Sequence, residues 1–90
     1  MILEIGSNQF EVSMTDKHLV ALKVVDGPNE NFCFVLPKKD KITIGRKPHN
    51  EIHFPDDHHL SNIHGTFFSV NGVWYVEDLG STNGTWIRLS

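Results

Sequence analysis

Ninety residues leave room for one small domain, because chains rarely divide into two independent cores below about 150 residues. A composition of 39% hydrophobic and 21% charged residues, with six Phe, two Trp and one Tyr, argues against intrinsic disorder and for a folded core with little stability to spare. The net charge of −3 argues against the broad basic face of a nucleic-acid-binding protein.

The predicted elements are strands, since apolar residues do not recur at three and four positions over any window long enough for an amphipathic helix. Ile2 to Ile5 and Gln9 to Met14 flank a Gly6-Ser7-Asn8 turn, with Phe10, Val12 and Met14 alternating against Glu11 and Ser13. Leu19 to Val25 runs into the turn cluster Asp26-Gly27-Pro28-Asn29, and Asn31 to Leu36 follows. Lys41 to Ile44 carries Ile42 and Ile44 on one face, and the shorter run Ile52 to Phe54 is stopped by Pro55. His64 to Val70 and Val73 to Val76 are joined by Asn71-Gly72, a pair that predicts a tight hairpin because both central residues of the favoured turn take positive φ. Thr85 to Leu89 is the last run, after the loop from Gly80 to Gly84. Many short strands separated by turn residues predict an all-β sandwich or barrel.

The net charge hides an asymmetry. Five of the eight basic residues, Lys38, Lys39, Lys41, Arg46 and Lys47, fall within ten positions opposed only by Asp40. Such a patch on an acidic chain suits a compact anion, although a solvated lysine-rich turn reads the same on charge alone. Cys33 is the single cysteine, so neither an intrachain disulfide nor a multi-cysteine zinc site is expected. The first residues have no secretory pattern, and no apolar stretch reaches the ~18 residues of a membrane helix. The expected setting is a reducing intracellular compartment, cytoplasmic or nuclear, with no membrane partner.

Three segments at strand junctions are rich in hydrogen-bonding groups: Ile44-Gly45-Arg46-Lys47, Ser61-Asn62-Ile63-His64-Gly65 and Asp78 to Thr85. Loops of a sandwich cluster at its two ends, so these three can meet at one end and form a site. Their shared chemistry suits a phosphate ester: Arg46 offers a forked, permanent charge, Ser61 a hydroxyl, and the loop N–H groups fill the remaining oxygens. Asn62 and Asn83 each carry a donor and an acceptor on one amide and suit a peptide main chain.

The strings Thr43-Ile44-Gly45-Arg46, Ile52-His53-Phe54-Pro55-Asp56, Ser61-Asn62-Ile63-His64 and Trp74 through Trp86, with Ser81-Thr82-Asn83-Gly84-Thr85 inside it, resemble the forkhead-associated (FHA) domain in order and spacing. The resemblance covers Leu19 to about Leu89. It implies a β-sandwich of two twisted, mainly antiparallel sheets with about eleven short strands, which reads phosphothreonine in a partner protein and needs no cofactor. Carried over by position, Arg46 and Ser61 contact the phosphate with Thr82 nearby, Asn83 binds the peptide backbone, and Asn62 lies beside it. Gly45, His64 and Gly84 are framework, with the His64 ring bracing the loops from inside. Lys47 adds charge or is merely solvated, and His59 faces the residues that follow the phosphothreonine.

FHA domains continue past the strand that corresponds to Thr85–Leu89 into a closing hairpin. Here residues 1–14 resemble that hairpin, with Ile-x-Ile-Gly, a turn and Phe-x-Val. The expectation is therefore one domain over residues 1–90, circularly permuted, with residues 1–14 closing a core of residues 19–89. A monomer is expected. A dimer that swaps the hairpin, or a segment cut from a tandem FHA protein, fits the same pattern.

Other classes fit less well. His49, His53, His58, His59 and His64 lie within sixteen residues, but a zinc site built from them with Asp56 and Asp57 lacks a helical His-x-x-x-His spacing. The Gly80–Gly84 loop has no Lys after its second Gly and no following helix. Ser61 and His64 have no evident third group to orient them for catalysis. A non-catalytic sandwich that binds an unphosphorylated partner is the remaining alternative.

Overall fold

The structure, a computed structural model, describes residues 1–17, 19–37 and 41–88. The expectations placed on Lys38, Lys39 and Asp40 of the basic segment, on the His18 connection, and on Leu89 as a strand end lie outside the described residues.

Nine strands form among the described residues: β1 (Ile2–Ile5), β2 (Asn8–Met14), β3 (Val20–Asp26), β4 (Cys33–Val35), β5 (Lys41–Gly45), β6 (Ile52–His53), β7 (Gly65–Val70), β8 (Val73–Asp78) and β9 (Thr85–Arg88). They make a five-stranded sheet in the order β4-β3-β2-β1-β9 and a four-stranded sheet in the order β6-β5-β7-β8. All pairings are antiparallel except β5 with β6. The fold is the expected all-β sandwich, with nine strands among the described residues rather than about eleven. The sequence contains nine apolar runs, and the two further strands came from the family pattern alone.

Turn chemistry fixes the two tight hairpins. Gly6 has φ +61° and Ser7 does not take positive φ, which is the pattern of a turn whose first central residue is glycine. It sets Ile5 opposite Asn8. Asn71 (φ 52°) and Gly72 (φ 79°) are both left-handed, as the Asn-Gly pair predicts, and Val70 faces Val73 across them.

Alternation then decides which side chains meet between the sheets. Leu3, Ile5, Phe10, Leu22 and Val24 from one sheet pack with Ile42, Ile44 and Phe67 from the other, and Ile52, Phe54, Leu36 and Leu60 complete the core. Met14 departs from the expected alternation. It lies at the last paired position of β2, opposite Val20, and is 66% exposed because the strand runs past the packed region.

β1 pairs with β9 and β2 pairs with β3, so the N-terminal hairpin separates the first strand after it from the last strand of the chain. Leu3, Ile5 and Phe10 are buried, each contributing about 1.5–3 kcal/mol of apolar burial. The hairpin is thus part of the core. No helix of the described residues is long and apolar enough to cross a membrane.

Candidate functional site

The three polar segments converge at one end of the sandwich, where backbone hydrogen bonds lace them together. Arg46 N–H donates to the Ser61 carbonyl (3.0 Å) and Lys47 N–H to the Asn62 carbonyl (3.3 Å). Asn50, 3% exposed, adds a side-chain tie by donating to the carbonyls of Lys47 and Asn62, both at 2.8 Å. Gly45 is required at the base of this junction, since a Cβ there would overlap the Asn62 carbonyl and the Asn50 amide.

His64 joins the second segment to the third. Its side chain is fully buried. Nδ1 accepts the Ser61 backbone N–H (3.2 Å) and Nε2 lies 2.8 Å from the Gly84 carbonyl. An acceptor at Nδ1 leaves the proton on Nε2, so the ring is neutral and donates to Gly84. With both nitrogens committed to backbone, His64 is not available as a base for the Ser61 hydroxyl.

The third segment is shaped by Asp78. Its carboxylate accepts Ser81 N–H (2.8 Å), Ser81 Oγ–H (2.5 Å) and Thr85 Oγ1–H (2.9 Å). Burial works to raise the Asp78 carboxyl, but the hydrogen bonds from the Ser81 side chain and backbone and from Thr85 outweigh it and hold the group below its ordinary value of 3.8. Ser81 Oγ in turn accepts the Gly84 N–H (2.9 Å), and Gly84 takes φ +81° to close the turn.

On this framework the structure brings Arg46, Ser61, Asn62, Thr82, Asn83 and His59 together. Arg46 is half-buried, and its Nη2 donates to Asn62 Oδ1 at 3.4 Å. Ser61 Oγ accepts the Thr82 N–H (3.1 Å), which leaves the hydroxyl proton for another acceptor. Asn83 donates one amide hydrogen to the His59 carbonyl (3.0 Å), and its own carbonyl accepts the Trp86 indole N–H (3.1 Å). Lys47, His59, Asn62, Thr82 and Asn83 are exposed. Lys47 enters the network through its main chain, as does His59. The face presents a fixed cation, hydroxyls and amides, a set matched to an anion flanked by peptide.

The sequence pattern does not single out Asn50, which ties the first two segments, and it gives Asp78, which opens the third, no role of its own. Asp78 has a readable signal, an Asp with Ser three positions on, which favours a side-chain-capped turn. Among the described residues no cluster of three or more His, Cys, Asp or Glu side chains is placed to hold a metal ion.

The family model described as the FHA domain matches residues 42–89, a span that holds all three segments. Oxoglutarate dehydrogenase inhibitors from Corynebacterium diphtheriae, Corynebacterium efficiens and Corynebacterium glutamicum are each 39% identical over 67 residues, which is 74% of this chain and 46% of each relative. The chain spans about half the length of the curated relatives it matches (46%). No solved structure matches it.

Proposed function

Because the chain belongs to the FHA domain family, we propose that it is a phosphothreonine-peptide-binding module that mediates phosphorylation-dependent association with a partner protein. Arg46, Ser61 and Thr82 take the phosphate, while Asn83 and Asn62 take the peptide main chain. His59 and Lys47 border the flanking residues, and Gly45, His64 and Gly84 hold the loops. The domain acts as one unit over residues 1–90, with residues 1–14 closing the sheet.

The observation that carries this reading is the convergence of the loops that bear the Arg46 guanidinium, the Ser61 hydroxyl and the Asn83 amide, which backbone and side-chain hydrogen bonds hold in place. A preorganised face of this kind binds an anion without first breaking its own bonds. His64 cannot serve as a base for the Ser61 hydroxyl, since both its nitrogens are engaged by backbone, which favours a non-catalytic, regulatory role. The relatives named as inhibitors of oxoglutarate dehydrogenase agree with a role exerted by binding a protein.

Screening the chain and its Arg46→Ala variant against a degenerate phosphothreonine peptide library tests the proposal. Wild type selects phosphothreonine over phosphoserine, which lacks the methyl group, and shows a flanking preference, while Arg46→Ala selects nothing. Equal capture of unphosphorylated peptides would instead support an unphosphorylated partner.

A further inference from the structure

Asp57 lies four residues before Ser61, in the loop that carries it, and is 4% exposed. A carboxylate buried this deeply must have its oxygens hydrogen-bonded. Oδ2 accepts Ser7 N–H (2.9 Å), and Oδ1 accepts both Ser7 Oγ–H (2.8 Å) and His59 N–H (3.0 Å). Ser7 belongs to the β1–β2 turn, so the side chain joins the N-terminal hairpin to the loop that carries Ser61. The fit is close: a Cβ on Gly6 would come within 2.5 Å of Asp57 Oδ2.

Asp57 cannot shift without moving the loop, because its N–H donates to the Phe54 carbonyl and its carbonyl accepts the Leu60 N–H, both at 3.1 Å. On the far side, the His59 carbonyl holds one amide hydrogen of Asn83 at 3.0 Å. A continuous series of hydrogen bonds therefore runs from Ser7 through Asp57 and His59 to Asn83. With one amide hydrogen fixed, the Asn83 side chain cannot rotate freely, and its second hydrogen keeps one direction toward an incoming main chain.

We infer that Asp57 is a positioning residue for the peptide-binding face: it converts docking of the Ser7 turn into placement of the His59 carbonyl, and through it of the Asn83 amide. The inference rests on the phosphopeptide reading above.

The test uses the whole chain and the best phosphothreonine peptide from the library. Affinities are measured by calorimetry for wild type, Ser7→Ala, Ser7→Thr, Asp57→Asn, Asn83→Ala and the double variants with Asn83→Ala, each checked for a folded baseline by circular dichroism. Ser7→Ala weakens binding by about fivefold, the worth of one ordinary hydrogen bond. Asp57→Asn, which sets an amide donor against the Ser7 donors, weakens it by about tenfold or more. Ser7→Thr, which keeps the hydroxyl, restores binding, and in the Asn83→Ala background the Ser7 and Asp57 losses vanish. Without peptide, the Asn83 side-chain amide resonances shift in Ser7→Ala and return in Ser7→Thr.

Wild-type affinity in Ser7→Ala, full additivity with Asn83→Ala, or unshifted Asn83 resonances would overturn the inference while leaving phosphopeptide binding intact. If Asp57→Asn does not fold, the Ser7 variants decide alone. Failure of wild type to bind any phosphothreonine peptide is a separate result, seen in the first titration, and removes the underlying reading together with this one.

Discussion

Replacing His64 by Leu isolates what the buried ring contributes. Leu keeps most of the side-chain volume, so the main loss is two hydrogen bonds, from Ser61 N–H and to the Gly84 carbonyl. Each orphaned backbone group costs about 1–3 kcal/mol, and since Ser61 and Gly84 are only half-buried the lower half of that range applies, about 2–4 kcal/mol together. A domain of this size has roughly 5–13 kcal/mol in all. With about 4–8 °C per kcal/mol, thermal unfolding followed by circular dichroism should fall by roughly 10 °C or more. Phosphopeptide affinity should fall too, at a temperature where the variant remains folded, because the Ser61 and Gly84 loops lose their common brace. A melting temperature within about 2–3 °C of wild type would mean that neither backbone group depends on the ring, against the role assigned to it here.

Arg46→Ala should do the opposite, leaving the melting temperature within about 2 °C while weakening phosphopeptide binding about 10- to 150-fold for each charge-assisted hydrogen bond lost. Calorimetry and a melt on one sample check both halves. Asp78 is held below its ordinary value of 3.8 in the folded chain, so its contribution to stability is complete above that value and is lost as pH falls through the depressed one. The stability gap between wild type and Asp78→Asn, read from urea titrations, should therefore be constant near neutrality and close below about pH 4. Gly45→Ala should destabilise by about 1–3 kcal/mol or more, because its methyl group must displace the Asn62 carbonyl or the Asn50 amide. Denaturant unfolding measures that loss.

Turn and strand chemistry made much of the fold legible before any coordinates. Asn71-Gly72 announced its own geometry, since both residues must be left-handed, and Ile42 and Ile44 announced a buried face by their spacing. Pairing between distant segments is a different matter. That β1 lies against β9 and β2 against β3 depends on which edges meet, and only the family resemblance hinted at it. The site divides in the same way. Arg46, Ser61 and Asn83 carry recognisable chemistry, whereas Asp57 serves Ser7 from 50 residues away and no local pattern encodes that partner. The sequence places His59 facing the ligand, but the structure engages its backbone, both N–H and carbonyl, a property that any residue except proline would share.

One titration of the wild-type chain with two synthetic peptides of identical sequence, one with phosphothreonine and one with threonine, tests the phosphate-reading role of Arg46 and Ser61. The phosphopeptide should bind with micromolar affinity, about −8 kcal/mol, and the other should show no measurable heat. Equal affinity for the two, or none for either across the library-selected sequences, would contradict a phosphothreonine-reading site at Arg46 and Ser61.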